Sequence, residues 1–147
     1  MTVNVLTEIV IDRPCEQVAR YASDPSKTPE WYENIESVEL ATSPPLRVGS
    51  KMDFSARFLG RKLVYTYEVT EFMPAKRLVM RTSQGPFPME TTYTWECAGS
   101  DSTRMTLRNR GEPRDFSTLM APFLKRAIRR ANRKDLLRLK EILESAE

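Results

Sequence analysis

The sequence predicts one α+β domain over residues 1–147, in which a curved antiparallel sheet of about seven strands packs against two short helices and one long C-terminal helix. Apolar and polar residues alternate from residue 35 to residue 110, with turn residues at regular intervals, which is typical of an antiparallel meander. From residue 114 the hydrophobic period changes to about 3.6, which indicates a helix. A chain of 147 residues is long enough to bury a core without metals or disulfides.

A strand and two short helices are predicted before the meander. Residues 3–11 are rich in β-branched side chains, which favours a strand. Pro14 suits the first turn of a helix, and Asp24 and Pro25 end that helix. One more helical turn is expected up to residue 32, with Trp31 as its apolar anchor.

Strands separated by turns make up the meander. The predicted segments cover residues 35–40, 51–58, 62–70, 78–82, 89–96 and 104–109. Apolar residues take every second position in most of them and therefore share one face of the sheet. We expect that face to be concave, because an antiparallel sheet of this length closes or bends around another element.

The long helix is predicted from an apolar stripe that begins at Phe116 and ends at Leu143. Pro122 falls inside this stripe, so we expect a break or kink there, with a separate flap over residues 116–124. Beyond the proline the helix should extend for roughly 20 residues, well above the usual mean. A sheet bent around one helix leaves space between the two, and that space is the candidate binding site.

Aromatic and methionine side chains dominate the predicted concave face. Buried tyrosine and tryptophan need a partner for their polar atom, so several on one face favour a pocket with polar groups, although the same residues could simply fill the core. Methionine adapts to a ligand of irregular shape. The predicted cavity-lining, ligand-binding residues are Met52, Phe54, Phe58, Tyr65, Tyr67, Met80, Met89, Tyr93, Trp95, Leu107, Asn109, Phe116, Met120, Phe123, Leu124 and Ile128.

Asn109 is the polar residue of this set, on the inward face of the last strand. A buried amide without partners is costly, so we expect it to bond Tyr93 or Ser117, or else to orient a ligand carbonyl or hydroxyl. Its neighbours Arg108 and Arg110 should point outward into solvent.

The chain contains no histidine, which limits the chemistry open to it. A Ser-His-Asp or Cys-His nucleophilic site and a histidine-ligated zinc site are excluded, and we expect neither metal nor cofactor. The carboxylates Asp53, Glu68, Glu71, Glu90 and Glu96 fall mostly on outward positions, and Asp24 and Glu30 lie near the expected cavity mouth. These carboxylates form no matched acid–base pair, so the catalytic residues, if any, are unknown.

The N-terminus lacks the basic and apolar regions of a signal peptide, and no window holds 18 consecutive apolar residues. We therefore predict a cytoplasmic protein without a membrane span. Cys15 and Cys97 lie far apart in sequence, and in the cytoplasm they should be reduced thiols.

A basic run lies in the predicted long helix. Residues 125–134 contain six basic side chains and no acidic one, while the net charge of the chain is only +3. The solvated back of the helix explains the run, and nucleic acid is an unlikely partner because no aromatic platform accompanies it. An anionic membrane surface or a homodimer contact remains an alternative.

Several short stretches, in this order and spacing, carry a resemblance to a known family. They are residues 11–18 (IDRPCEQV), 24–31 (DPSKTPEW), 48–50 (VGS), 67–74 (YEVTEFMP), 103–106 (TRMT) and 135–140 (DLLRLK). Together they resemble the SRPBCC superfamily, which includes the START lipid-transfer domains and the birch pollen allergen, and within it the bacterial polyketide cyclase/dehydrase-like proteins. The resemblance implies a helix-grip fold with a hydrophobic pocket between sheet and helix. The superfamily's Rieske-type branch uses histidine ligands, so that branch is excluded.

The leading hypothesis is that the chain binds a small hydrophobic molecule, lipid-like, aromatic or polyketide-like, in this cavity. The first alternative is a cyclase or dehydratase on the same scaffold, with Tyr65, Tyr67, Tyr93 or Asn109 polarising a carbonyl. The second is an interaction module that acts through the basic run. A fold supports many functions, so the choice depends on the site.

Overall fold

The structure is a computed structural model, and it describes residues 2–113 and 118–146. Its order of elements is one strand, two short helices, six strands and one long helix, as the sequence predicted. The strands are β1 (Val3–Ile11), β2 (Ile35–Leu40), β3 (Lys51–Phe58), β4 (Arg61–Met73), β5 (Arg77–Gln84), β6 (Met89–Cys97) and β7 (Thr103–Gly111). The helices are α1 (Cys15–Ser23), α2 (Thr28–Trp31) and α3 (Ala121–Ser145).

The strands form one antiparallel sheet in the order β1-β7-β6-β5-β4-β3-β2. Consecutive strands from β2 to β7 are neighbours, and β1 closes the order by pairing with β7, so that Val3 lies opposite Gly111. The register between β4 and β5 shifts twice, and such irregularities bend a strand and increase its twist. The sheet therefore curves around α3, and the predicted helix-grip α+β fold is confirmed.

The turn between β3 and β4 shows how the local sequence sets the register between these two strands. Leu59 and Gly60 both have positive φ, 50° and 76°, which is the geometry of a two-residue hairpin turn that follows the twist of the strands. Glycine adopts it without steric cost, and the turn places Phe58 opposite Arg61. The inward alternation of β3 therefore continues directly into β4.

The short helices lie between β1 and β2. Pro14 precedes α1, and Asp24 caps the 3₁₀ turn Pro25–Lys27 by accepting a hydrogen bond from the backbone N–H of Ser26 at 2.9 Å. Trp31 at the end of α2 is buried in the core, as its predicted role as an anchor requires.

Helix α3 begins at Ala121 without a break, so the kink predicted at Pro122 is wrong. The proline occupies the first turn, where the backbone N–H has no partner within the helix, and its fixed φ suits that position. The predicted flap does not form as one unit: a 3₁₀ turn covers Thr118–Met120, residues 121–124 belong to α3, and residues 116 and 117 lie outside the described part of the chain.

The two halves of α3 have different surroundings. In the C-terminal half, Leu136, Leu139 and Leu143 are buried in the main core. The last turn is fixed by Arg13, whose Nη2 donates to the carbonyl oxygens of Glu144 at 2.5 Å and of Ala146 at 3.1 Å. The C-terminal half is therefore held in place, and the N-terminal half extends over the concave face of the sheet.

A disulfide joins Cys15 at the start of α1 to Cys97 at the end of β6. The prediction that both are reduced thiols is therefore wrong in this structure. The residues are 82 positions apart, but the packing of α1 on β6 brings their Cα atoms to 5.5 Å, within the range that a disulfide needs. In the described ranges, no helix is long and apolar enough to cross a membrane.

Candidate functional site

A cavity of about 190 Å³ lies between the concave face of the sheet and the N-terminal half of α3. Strands β3, β4, β5, β6 and β7 supply most of its wall through residues at every second position. From α3 it receives a single stripe of side chains with helical spacing, namely Leu124, Ile128, Ala131, Asn132 and Asp135. Most of the lining is apolar, and a few polar groups converge on it, as in small-molecule sites.

Many of the residues predicted from the sequence line this cavity. They are Phe54, Phe58, Tyr65, Tyr67, Met80, Met89, Tyr93, Asn109, Leu124 and Ile128. Period-2 alternation brings together those on the strands, and the 3.6-residue period places the last two opposite them.

Other predicted lining residues lie elsewhere. Met52, Trp95 and Leu107 point to the same side of the sheet but are buried in the core, beyond the cavity. Met120 and Phe123 are 39% and 56% exposed, because they lie on the side of the α3 N-terminus that faces away from the sheet. Phe116 lies outside the described residues.

Three aromatic rings form one wall of the cavity. Phe54 stacks on Tyr65 with ring centroids 5.1 Å apart, and Tyr67 meets both edge-on at 5.2 and 5.0 Å. These are the offset and edge-to-face arrangements that aromatic pairs prefer. Among the described residues, none hydrogen-bonds the hydroxyl of Tyr65, so this group is open to a ligand.

A hydrogen-bond chain crosses from β4 to β7. The hydroxyls of Tyr67 and Thr91 lie 2.8 Å apart, and Thr91 donates to Oδ1 of Asn109 at 2.9 Å. Thr91 has one hydroxyl proton, so Tyr67 must donate to Thr91. The partner of Asn109 is thus Thr91 rather than the predicted Tyr93, and Ser117 lies outside the described residues. The Nδ2 donors of Asn109 have no acceptor among the described residues.

A second polar pair, Tyr32 and Tyr93, lies nearer to α3. Their hydroxyl oxygens are 2.9 Å apart, so one hydroxyl donates to the other and the second keeps its proton free. Burial raises the pKa of both hydroxyls above the ordinary range, and it raises the pKa of Tyr67 to about 12. All three tyrosines are therefore neutral hydrogen-bond donors at physiological pH. Tyr32 was not predicted as a site residue, because it follows a four-residue helix with little periodicity.

Asp135 is the acidic group that sequence reasoning misplaced. It directly follows the basic run in the sequence, where a surface charge is the ordinary expectation, but the residue is only 3% exposed and lines the cavity. Oδ1 accepts a hydrogen bond from the backbone N–H of Glu33 at 3.1 Å. Burial raises the pKa of Asp135 from 3.8 to about 7 despite this bond. Its position, seven residues after Ile128, was a usable signal, since it continues the inward stripe of the helix.

Asn132 is a second polar residue that the sequence analysis missed. It is 4% exposed and lines the cavity one helical turn before Asp135. Its Nδ2 group has no hydrogen-bond partner among the described residues. A buried amide donor of this kind is rare in folded proteins and needs an explanation.

The remaining charged groups lie at the rim or outside. Glu90 lines the cavity but is paired with Arg81 and, at 3.6 Å, with Arg110, so it is less outward than predicted. Asp24 and Glu30, expected near the mouth, are not in the lining: Asp24 bonds Ser26, and Glu30 accepts from the hydroxyl of Tyr21 at 2.8 Å.

The described residues contain no metal site, and the basic run lies mostly on the exposed side of α3. Among residues 2–113 and 118–146, no group of three acidic, cysteine or histidine side chains could hold a metal ion. In the basic run, Arg126, Arg130 and Arg133 are exposed, and Lys134 pairs with Glu33 at 3.1 Å. A partner for this run stays a prediction.

Comparisons with known proteins agree with this geometry. The family model for "Polyketide cyclase / dehydrase and lipid transport" matches residues 2–144. No curated protein matches the chain in sequence. Several solved structures, at sequence identities that show the fold alone, superpose over almost the whole chain.

Three of these structures illustrate how closely the fold matches at low sequence identity. TTHA0849 from Thermus thermophilus has a TM-score of 0.84 at 22% identity, covering 98% of this chain and 99% of that one. The Zhui aromatase/cyclase from Streptomyces sp. R1128 has a TM-score of 0.80 at 14% identity, covering 98% and 94%. A START superfamily protein from Mycobacterium smegmatis has a TM-score of 0.83 at 16% identity, covering 97% of each.

Proposed function

The chain belongs to the polyketide cyclase/dehydrase and lipid transport family of the SRPBCC superfamily, and from this membership we propose that it binds one small hydrophobic molecule in the cavity under α3. The observation that carries the proposal is the cavity itself, which is mostly apolar and contains several neutral donors without acceptors. Burying such groups unpaired costs free energy, because each of them loses hydrogen bonds to water, and an acceptor atom on a ligand would remove part of that cost.

The size of the cavity favours a compact ligand. An apolar cavity of about 150 Å³ holds one benzene molecule, so 190 Å³ suits a molecule of one or two rings better than a long acyl chain. The stacked wall of Phe54, Tyr65 and Tyr67 presents ring faces and edges to it. Of the lipid-like, aromatic and polyketide-like ligands predicted from the sequence, an aromatic or polyketide-derived ring compound therefore fits best.

A fluorescence titration tests this proposal. 1-Naphthylamine has two rings, is uncharged at neutral pH and emits at shorter wavelength in apolar surroundings, and we expect it to saturate at one molecule per chain. Replacing Ala131 on the inner face of α3 with phenylalanine should fill part of the cavity and abolish the signal. Val64→Phe adds the same ring on the exposed face of β4 and should bind like the wild type. Equal binding by both variants would overturn the proposal.

A second candidate, a cyclase-type enzyme, is favoured by Asp135. A carboxyl group with a pKa of about 7 in a mostly apolar cavity can both give and take a proton near neutral pH. A solved structure with the same fold is named as an aromatase/cyclase. We would test it by adding a linear aryl triketone and following aromatic absorbance: turnover that Asp135→Asn abolishes supports the candidate, and a rate equal to the uncatalysed one removes it.

A further inference from the structure

We propose that Asn132 and Asp135 form a polar subsite on α3 that hydrogen-bonds an acceptor oxygen of the ligand, such as a ketone carbonyl. This inference rests on the proposed function and adds the chemistry of the ligand to it. The bound molecule is then an uncharged ring compound that carries a carbonyl or similar oxygen on the side facing the helix.

Asn132 supplies the first observation. Its amide is buried against the cavity and its Nδ2 donors are unpartnered among the described residues. An apolar residue would fill this position at lower cost if no ligand used the donor, because leucine has a similar volume and no polar group to desolvate. An acceptor atom placed against the part of the cavity wall that Asn132 forms would supply the missing partner.

Asp135 supplies the second observation. It lies three residues further on, so both side chains project from the same face of the helix. One carboxyl oxygen is held by the backbone N–H of Glu33, which leaves the other for a ligand. The groups around this carboxyl are the Glu33 carboxylate, the Lys134 ammonium and the hydroxyls of Tyr32 and Tyr93. As a neutral acid it is a second donor beside Asn132.

The positions of the charged residues in the cavity wall indicate whether the ligand group at the α3 subsite is a neutral oxygen or an anion. The arginines that line the cavity, Arg57, Arg61 and Arg110, belong to β3, β4 and β7, and none of the described lining residues on α3 is basic. An anion at the α3 subsite would be repelled by Asp135 whenever that carboxyl is ionised, and the nearby Lys134 ammonium already pairs with Glu33 at 3.1 Å. A carbonyl oxygen accepts from Asn132 without that repulsion, so a neutral acceptor is the better match.

Two probes of the same shape separate this subsite from apolar binding. α-Tetralone and tetralin share a bicyclic skeleton and differ by one carbonyl oxygen, and each can be measured by displacement of 1-naphthylamine. In the full chain, Asn132→Leu should weaken α-tetralone about tenfold and leave tetralin within about twofold, since one buried hydrogen bond is removed. Ile128→Val removes an apolar contact from the same wall and should weaken both probes by the same factor.

An infrared measurement reports on the bond itself. The carbonyl stretch of bound α-tetralone should lie at lower wavenumber than in an apolar solvent, and this shift should shrink in Asn132→Leu. If that variant does not fold, Asn132→Met is used in its place. Equal weakening of both probes, or an unchanged carbonyl stretch, overturns the subsite while leaving the cavity intact. Failure of the naphthylamine itself to bind overturns the proposed function instead.

Discussion

The buried carboxyl group of Asp135 makes the unfolding free energy of the chain depend on pH. In the unfolded chain its carboxyl ionises near the ordinary pKa of 3.8, whereas burial holds the folded value at about 7. Between these values the unfolded chain has released a proton that the folded chain still binds. Unfolding is therefore increasingly favoured as the pH rises from about 4 to 7, and the contribution is constant above that window.

We expect Asp135→Asn to flatten this slope. Asparagine keeps an oxygen for the backbone N–H of Glu33 but cannot ionise, so the variant should gain stability over the wild type above pH 7, by at most about 4 kcal/mol. Urea unfolding at a series of pH values measures the difference. Glu141→Gln, on an exposed part of the same helix, is the control and should keep the wild-type slope. If the unfolding free energy of the wild type and of Asp135→Asn changed with pH in the same way, the carboxyl would have its ordinary pKa in the folded chain, and the prediction would be wrong.

Among individual residues of the cavity, the sequence predicted the apolar and aromatic ones better than the polar ones on α3. Phe54, Tyr65 and Tyr67 follow from strand alternation alone. Asn132 and Asp135 were missed because a polar residue near a basic run suggests a solvated face, and only the phase of the helix reveals that they point inward. Trp95 shows the converse limit: alternation gives the face of the sheet but not the position along it where the cavity ends.

Helix α3 combines two tasks along its 25 residues. Its C-terminal half packs on the core and is fixed to the junction of β1 and α1, and its N-terminal half covers the cavity. Lys140 strengthens the fixed end, because its Nζ donates to the carbonyl oxygen of Val10 at 2.9 Å.

Removal of Arg13 should loosen the fixed end. Arg13→Ala takes away the donors to the carbonyls of Glu144 and Ala146, and we expect a loss of about 1–2 kcal/mol in unfolding free energy. Amide hydrogen exchange should accelerate in the last turns of α3, from residue 139 onward, and remain unchanged in β3 and β4. Arg130→Ala, on the exposed side of the helix, should alter neither. An exchange pattern that rises equally throughout α3 would contradict a local role.

The elements themselves were predictable for physical reasons. Strands with one buried face must alternate, and glycine or proline marks their ends, so β1 and β3 were predicted with the bounds that the structure shows. Pro122 causes no kink, because it lies in the first turn of α3, and the apolar stripe is divided just before it, between the 3₁₀ turn Thr118–Met120 and the helix. The sequence does not show where a helix starts when apolar residues continue on both sides of that point.

The disulfide affects the whole molecule, because it ties α1 to the far end of β6. Such a link restricts the unfolded chain, and Cys97→Ser should lower the unfolding free energy by about 2–4 kcal/mol under oxidising conditions. With dithiothreitol the wild type should fall to the level of the variant. A wild-type stability that does not respond to reductant would mean that the bond does not form in solution. Structural disulfides are rare in the cytosol, so the predicted cytoplasmic location, which stays a prediction, depends on this result.

At the scale of the molecule, the sequence predicted the architecture but not the contents of the cavity. One long amphipathic helix and a meander can bury their apolar faces only by packing against each other, which favours this fold class. The polar pairs inside, Tyr67 with Thr91 and Tyr32 with Tyr93, depend on contacts between residues 24 and 61 positions apart. No local pattern encodes such distances.

Native mass spectrometry of the full chain tests the central claim, a cavity that holds one small apolar molecule, most directly. After incubation with 1-naphthylamine and removal of the excess, the wild type should carry one added molecule per chain. Val64→Phe should do the same, and Ala131→Phe should carry none. Wild-type protein that shows only its bare mass, or Ala131→Phe that retains the probe as the wild type does, would contradict the account.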